Sequence, residues 1–85
     1  MNVTLYSKDN CSKCVRAKQI LINRQIPFTE LKLNEDFTRD TLLGMFPDAR
    51  SFPVVVVDGF NIGDENNLNH YLIEESKNTT KLLNE

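Results

Sequence analysis

The sequence predicts an α/β domain in which a four-stranded mixed sheet is flanked by helices, in the order β-α-β-α-β-β-α. Three observations carry that prediction. Short β-branched or alternating runs take turns with helix-length stretches through the first half of the chain. Val54-Val55-Val56-Val57 is an unbroken apolar run, suited to a strand buried on both faces. Asp58-Gly59 follows it directly, a strong two-residue hairpin signal that returns the chain as Phe60-Asn61-Ile62.

The elements follow in order. Val3-Thr4-Leu5-Tyr6 is short, β-branched and partly aromatic, and reads as the first strand. A helix is expected from about Ser12 to Gln25, with Cys14, Ala17 and Leu21 on one stripe. Ile26-Pro27 ends it, because a residue before proline is pushed out of the α region. In Phe28 to Leu33, Leu31 and Leu33 alternate with Glu30 and Lys32, as in a strand with one buried face. Asn34 is then read as the cap of a second helix running to about Phe46. Pro53 opens the valine strand, and Gly63 closes the strand that returns from the hairpin. Asp64 to about Glu75 carries Leu68, Tyr71 and Leu72 on one stripe and makes the last helix. The crossover gives a parallel pair and the hairpin an antiparallel one, which satisfies the connection rules. Phe37, Phe46 and Phe60 are read as core or core-edge residues.

Eighty-five residues suit one domain, residues 1–85, with a polar tail from about 76 to 85 that is expected to be loosely attached. The composition, 40% hydrophobic and 26% charged, is that of an ordinary globular protein. With a net charge of −2 and scattered basic residues, the chain gives a nucleic-acid partner no electrostatic support. No apolar run approaches a membrane span and no charged-then-apolar leader precedes Val3, so a cytoplasmic monomer with no membrane partner is expected.

Both cysteines of the chain lie in one C-x-x-C, Cys11-Ser12-Lys13-Cys14, between the first strand and the first helix. A thiol at a helix N-terminus faces unpaired backbone N–H groups and the positive end of the helix dipole, which favour thiolate. Such positions lower a cysteine pKa from about 8.5 to roughly 3.5–7.5. The second cysteine, one turn on, is placed to close a disulfide onto the first. In a reducing compartment such a pair is catalytic or metal-binding more often than a staple. A structural zinc usually needs four protein ligands, and the remaining candidate, His70, lies far away in sequence and reads as a solvated surface residue, so no metal is expected.

The element order, the C-x-x-C after the first strand and Pro53 before the third resemble the thioredoxin fold, and specifically the glutaredoxin family. Further matches spread from Val3 to about Leu72. Lys8 lies three residues before Cys11, where glutaredoxins commonly have a lysine. Arg50-Ser51-Phe52-Pro53 stands where the family has a segment ending Thr-Val-Pro, and Ile62-Gly63-Asp64-Glu65-Asn66-Asn67-Leu68 where it has Ile-Gly-Gly-x-x-Asp-Leu. The resemblance implies a dithiol oxidoreductase with Cys11 as nucleophile and Cys14 as resolving thiol, using glutathione as co-substrate with no bound cofactor. Its substrates would be protein disulfides and glutathionylated proteins. It also implies a cis Pro53 that exposes the backbone of Phe52 to a peptide docking as a short strand. The γ-glutamyl end of glutathione would meet Gly63, Asp64, Asn66, Asn67 and the free N–H groups of the last helix. Lys8 and Arg50 would meet its glycyl end, with Lys13 a further cation near Cys11.

The chain departs from the family at informative places. The usual Cys-Pro-Tyr-Cys is Cys-Ser-Lys-Cys, the second glycine is Asp64, the family's aspartate is Asn67, and Phe52 replaces a smaller residue. Lys13, Asp64 and Asn67 motivate an alternative: a glutaredoxin-like redoxin reduced by thioredoxin reductase and serving ribonucleotide reductase. The segment Thr4 to Lys18 is also similar to the arsenate-reductase-like group, whose redox-sensing regulators bind RNA polymerase. Those chains carry extra helices between the second and third strands, for which there is no room here.

Overall fold

A computed structural model of the chain describes residues 1–83, with side chains described as far as Glu74. Its elements are β1 (Val3–Ser7), α1 (Ser12–Asn23), β2 (Phe28–Lys32), α2 (Arg39–Met45), β3 (Val54–Val57), β4 (Phe60–Gly63) and α3 (Glu65–Leu83). The four strands form one sheet in the order β2-β1-β3-β4. β1 pairs with β2 in parallel, while β1–β3 and β3–β4 are antiparallel. This is the mixed, helix-flanked thioredoxin-like fold that the sequence predicts.

All four valines of β3 are buried, and they divide between two cores. Val55 and Val57 join Val3, Leu5, Ala17, Leu21, Leu68 and Leu72 beneath α1 and α3. Val54 and Val56 join Tyr6, Phe37 and Leu42 on the α2 side. Successive side chains of a strand point to opposite faces, so an all-apolar strand requires cover on both. The second core is largely aromatic, with Tyr6 meeting Phe37 edge to face at 5.1 Å between ring centroids.

Turn chemistry accounts for the boundaries. Asp58 (φ 52°) and Gly59 (φ 90°) both take positive φ, as a tight hairpin between Val57 and Phe60 demands. Asp58 is further held by its backbone N–H, which donates to Asn2 O, and by its Oδ1, which accepts from Asn2 N, both at 2.8 Å.

Several expected boundaries move, each for a local reason. α1 ends at Asn23, short of Gln25, because Gln25 adopts φ 57° and closes the helix. Gln25 N donates to Ile22 O and Ile26 N to Leu21 O, the paired bonds of a left-handed C-terminal cap. α2 is capped by Thr38, whose Oγ1 accepts from Thr41 N at 3.2 Å, and not by Asn34. Asn34, at φ 68°, sits in a turn secured by Lys32 N donating to Asp36 Oδ2, and this turn delivers Phe37 to the core. β2 is an edge strand half-covered along much of its length, so its alternation does not mark one buried face. Phe28 leans on the α1/α3 core, and Leu31 on the α2 core. α3 continues past Glu75 to Leu83, while the attachment of the tail's side chains lies outside the described residues. Phe60 is 75% exposed, not core-edge, because it begins the outer strand at the hairpin turn. Among the described residues no helix is long and apolar enough to cross a membrane.

Leu68 and Phe60 therefore respond oppositely to truncation. Leu68→Ala opens a cavity beneath α3 and costs about 2–5 kcal/mol, whereas Phe60→Ser changes stability by less than about 0.5 kcal/mol. Urea unfolding of both variants checks the pair.

Candidate active site

β1 and β4 both run antiparallel to β3, so both end at the same edge of the sheet, where β3 begins. Three loops meet there. Tyr6 opposite Val54 sets Ser7-Lys8 alongside Phe52-Pro53, and Val55 opposite Gly63 brings the start of α3 next to them. The Phe52–Pro53 peptide is cis. Lys8 Nζ lies 5.8 Å from the centroid of the Phe52 ring, tying the cysteine loop to the proline loop.

Cys11 is the N-cap of α1, with an extended backbone, and its Sγ accepts a hydrogen bond from Cys14 N at 3.1 Å. Its sulfur thus stands where a serine or aspartate oxygen would usually cap a helix, and charge developing on it meets first-turn N–H groups and the helix dipole. Cys11 and Cys14 are joined as a disulfide with their Cα atoms 5.2 Å apart. Cys11 is half-buried, whereas Cys14 is only 3% exposed. An incoming thiol reaches Cys11 first.

Two hollows adjoin this edge. The smaller, about 130 Å³, contains Lys8, Cys11, Cys14, Val15 and the charged residues Lys18, Glu30 and Lys32. Its floor is organised by Glu30, whose Oε1 pairs with Lys18 Nζ at 2.9 Å and whose Oε2 accepts from Ser7 Oγ at 2.9 Å. Lys32 Nζ reaches Asp9 Oδ1 at 3.3 Å on the rim. Burial pushes the Glu30 carboxyl up, but the hydrogen bonds from Lys18 and Ser7 and the charges of Lys18 and Lys32 outweigh it, leaving the pKa below its ordinary 4.5.

The larger hollow, about 260 Å³, is lined by Arg50, Ser51, Pro53, Gly63, Asp64 and Asn67 among others. Its α3 side is closed on itself. Asp64 Oδ1 accepts from Asn66 N at 3.0 Å and from Asn67 N at 3.1 Å, while Asp64 N donates to Asn67 Oδ1 at 3.3 Å. This reciprocal cap engages the N–H groups of Asp64, Asn66 and Asn67, among those that the family resemblance assigns to a ligand carboxylate. Gly63 takes φ 114°, and a Cβ there would lie 2.5 Å from Asn67 Oδ1, so this position accepts only glycine without disturbing the cap.

Of the residues singled out in the sequence, Lys8, Cys11 and Cys14 gather in one hollow, and Arg50, Pro53, Gly63, Asp64 and Asn67 in the other, with half-buried Phe52 linked to Lys8. Lys13 and Asn66 are exposed and line neither. Sequence reasoning missed the Ser7–Glu30–Lys18 network, which joins three elements. It also missed the buried Glu65, although Glu65, Leu68 and Leu72 have the spacing of one helical stripe. Among the described residues no three His, Cys, Asp or Glu side chains gather as a metal site.

A capped, half-buried cysteine with a buried partner one turn on, at the strand ends of a thioredoxin-like sheet, defines a thiol–disulfide oxidoreductase. A glutaredoxin profile matches residues 3–62, and the chain belongs to the glutaredoxin family. It is 35% identical over 60 residues to the glutaredoxin-like protein NrdH of Lactococcus lactis subsp. cremoris, a match covering 68% of this chain and 79% of that protein. Its fold is similar to that of reduced Escherichia coli glutaredoxin, with a TM-score of 0.75 at 21% identity over 91% of this chain and 99% of the other. Glutaredoxin 1 of Francisella tularensis gives 0.68 at 23% identity over 99% and 98%.

The lowered Glu30 pKa sets a pH dependence. The ionised form is favoured by folding, so its contribution is fully present above about 4.5 and is lost as pH falls through the lower folded value. Glu30→Gln is therefore less stable than the wild type at pH 7, and the difference closes as pH falls from about 4.5 through the lower folded value. Urea unfolding of both proteins at several pH values measures it.

Proposed function

We propose that this chain is a dithiol electron carrier of the redoxin type, reduced by a thioredoxin-reductase-type flavoenzyme and delivering electrons to protein disulfides, ribonucleotide reductase among them. The observation that carries this reading is the Asp64 cap. In a glutathione-using relative, the N-terminus of this helix is open to the ligand's α-carboxylate. Here the carboxylate of Asp64 already accepts from Asn66 N and Asn67 N. A second carboxylate would have to displace a charge-assisted pair of hydrogen bonds and stand beside a like charge. Asn67 in place of the family's aspartate also removes a charge partner for the ligand's ammonium group. Likeness to a glutaredoxin-like NrdH protein supports the same reading.

The chemistry does not depend on the donor. Cys11 thiolate attacks a substrate disulfide, one substrate sulfur leaves as thiolate, and a mixed disulfide forms. Cys14 then attacks Cys11 Sγ, releasing the second substrate sulfur and leaving the Cys11–Cys14 disulfide seen here. Two electrons from the donor restore the dithiol. The second reading is a glutathione-dependent glutaredoxin acting on protein disulfides and glutathione mixed disulfides. It is supported by Lys8 beside Cys11 and by Arg50 in the hollow with Pro53 and Gly63, cations suited to the ligand's glycyl end.

NADPH oxidation separates the two. With thioredoxin reductase and a protein disulfide, turnover is rapid; with glutathione and glutathione reductase, it is slow. Asp64→Gly reopens the α3 N-terminus at a cost of a few tenths of a kcal/mol in cap stability and raises the glutathione-linked rate about tenfold. Cys11→Ser abolishes turnover with either donor. Rapid glutathione-linked turnover by the wild type would overturn the reading.

A further inference from the structure

Glu65 opens α3 as a buried acid. It is 2% exposed, and its Oε1 accepts no hydrogen bond among the described residues. Buried carboxylate oxygens are almost always paired, so an orphaned one needs a physical reason. Glu65, Leu68 and Leu72 form one buried stripe of α3, and Cys14, Ala17 and Leu21 form the corresponding stripe of α1 with the same spacing. The two helices leave β4 and β1 at the same sheet edge, run back over the same face and pack on one another. Their lower residues share one core, Ala17 and Leu21 with Leu68 and Leu72. Cys14 and Glu65 head the two stripes at the same end, where Ser7 and Pro53 are also buried.

The geometry points to Glu65 as the proton acceptor for the Cys14 thiol when that thiol resolves a mixed disulfide on Cys11. The inference rests on the thiol–disulfide reading above and holds for either electron donor. In the step, the Cys14 S–H proton passes to the Glu65 carboxylate as Cys14 Sγ bonds to Cys11 Sγ. The bond from Cys11 Sγ to the substrate sulfur breaks, and that sulfur leaves with the electron pair and takes up a proton. The cysteine pair is oxidised by two electrons and the substrate disulfide is reduced by two. The orphaned Oε1 then has its explanation, since a disulfide sulfur has no proton to donate and a reduced Cys14 has one.

The other ionisable groups on this face are separately engaged. Glu30 on β2 is held by Lys18 of α1 and Ser7 of β1, Lys32 of β2 pairs with Asp9, and Asp64 caps α3. Lys8 and Cys11 stand at the mouth of the smaller hollow, β3 and β4 contribute no charged side chain, and Tyr71 lies at the edge of the shared core.

The test uses the reduced protein and one equivalent of 5,5′-dithiobis(2-nitrobenzoate). Attack by Cys11 releases the first thionitrobenzoate, and attack by Cys14 releases the second. With a carboxylate at hand to take the thiol proton, the second release in the wild type depends little on pH around neutrality. In Glu65→Gln the proton must be given up to solvent, and the second release slows about tenfold per pH unit as the solution is acidified. Glu65→Leu, which extends the apolar stripe and protects folding, gives the same slope. Parallel wild-type and variant profiles would overturn the assignment. Failure of the wild type to release any second thiol would instead remove the thiol–disulfide reading, and the assignment with it.

Discussion

Burial of β3 on both faces is the constraint from which the rest of the architecture follows. Four valines in a row leave no face of that strand for water, so helices must cover the sheet on each side. β1, paired to β3 and to β2, takes the other interior place, and its Val3 and Leu5 face one core while Tyr6 faces the other. The antiparallel pairings then have a chemical consequence. They bring the end of β1, the start of β3 and the end of β4 to one edge, and with them the N-termini of α1 and α3. A site with two helix dipoles converging on it results from packing requirements alone.

The two N-termini are finished differently, and that difference shapes the chemistry. At α1 the capping atom is sulfur, a weak acceptor that gains from the position only when charged, so the helix end favours a thiolate. At α3 the capping atom is a carboxylate oxygen, a strong acceptor already satisfied by two backbone N–H groups. One end is left for reaction and the other is closed by the chain itself. This member of the glutaredoxin family thus sets its cysteine pair at one helix end and a side-chain carboxylate at the other.

Much of the fold was legible from local pattern. The strand–helix order, the valine strand, the Asp58-Gly59 hairpin, the cysteine pair at a helix start and the family's proline and glycine all depend on neighbours in sequence. Misread boundaries came from residues whose backbone left its usual region. Gln25 and Asn34 take left-handed conformations that nothing in their identity requires, because the packing of Ile26 and Phe37 demands those turns. Phe60 is hydrophobic yet exposed, since its burial depends on which strand lies at the edge of the sheet.

For the site, the sequence by itself determined the reactive pair, its place at the start of a helix and the family in which such a pair works. Those are matters of spacing and residue chemistry within a few positions. Only the tertiary structure decided what surrounds the pair. Glu30 meets Lys18 and Ser7 across three elements, Asp64 and Asn67 close on each other, and Glu65 is carried inward on the face of α3 that also buries Leu68 and Leu72. Asp64 and Glu65 are adjacent acids, one exposed enough to cap a helix and one buried by it. A helix turns about 100° per residue, and which of two neighbours faces the core is set by what the helix packs against.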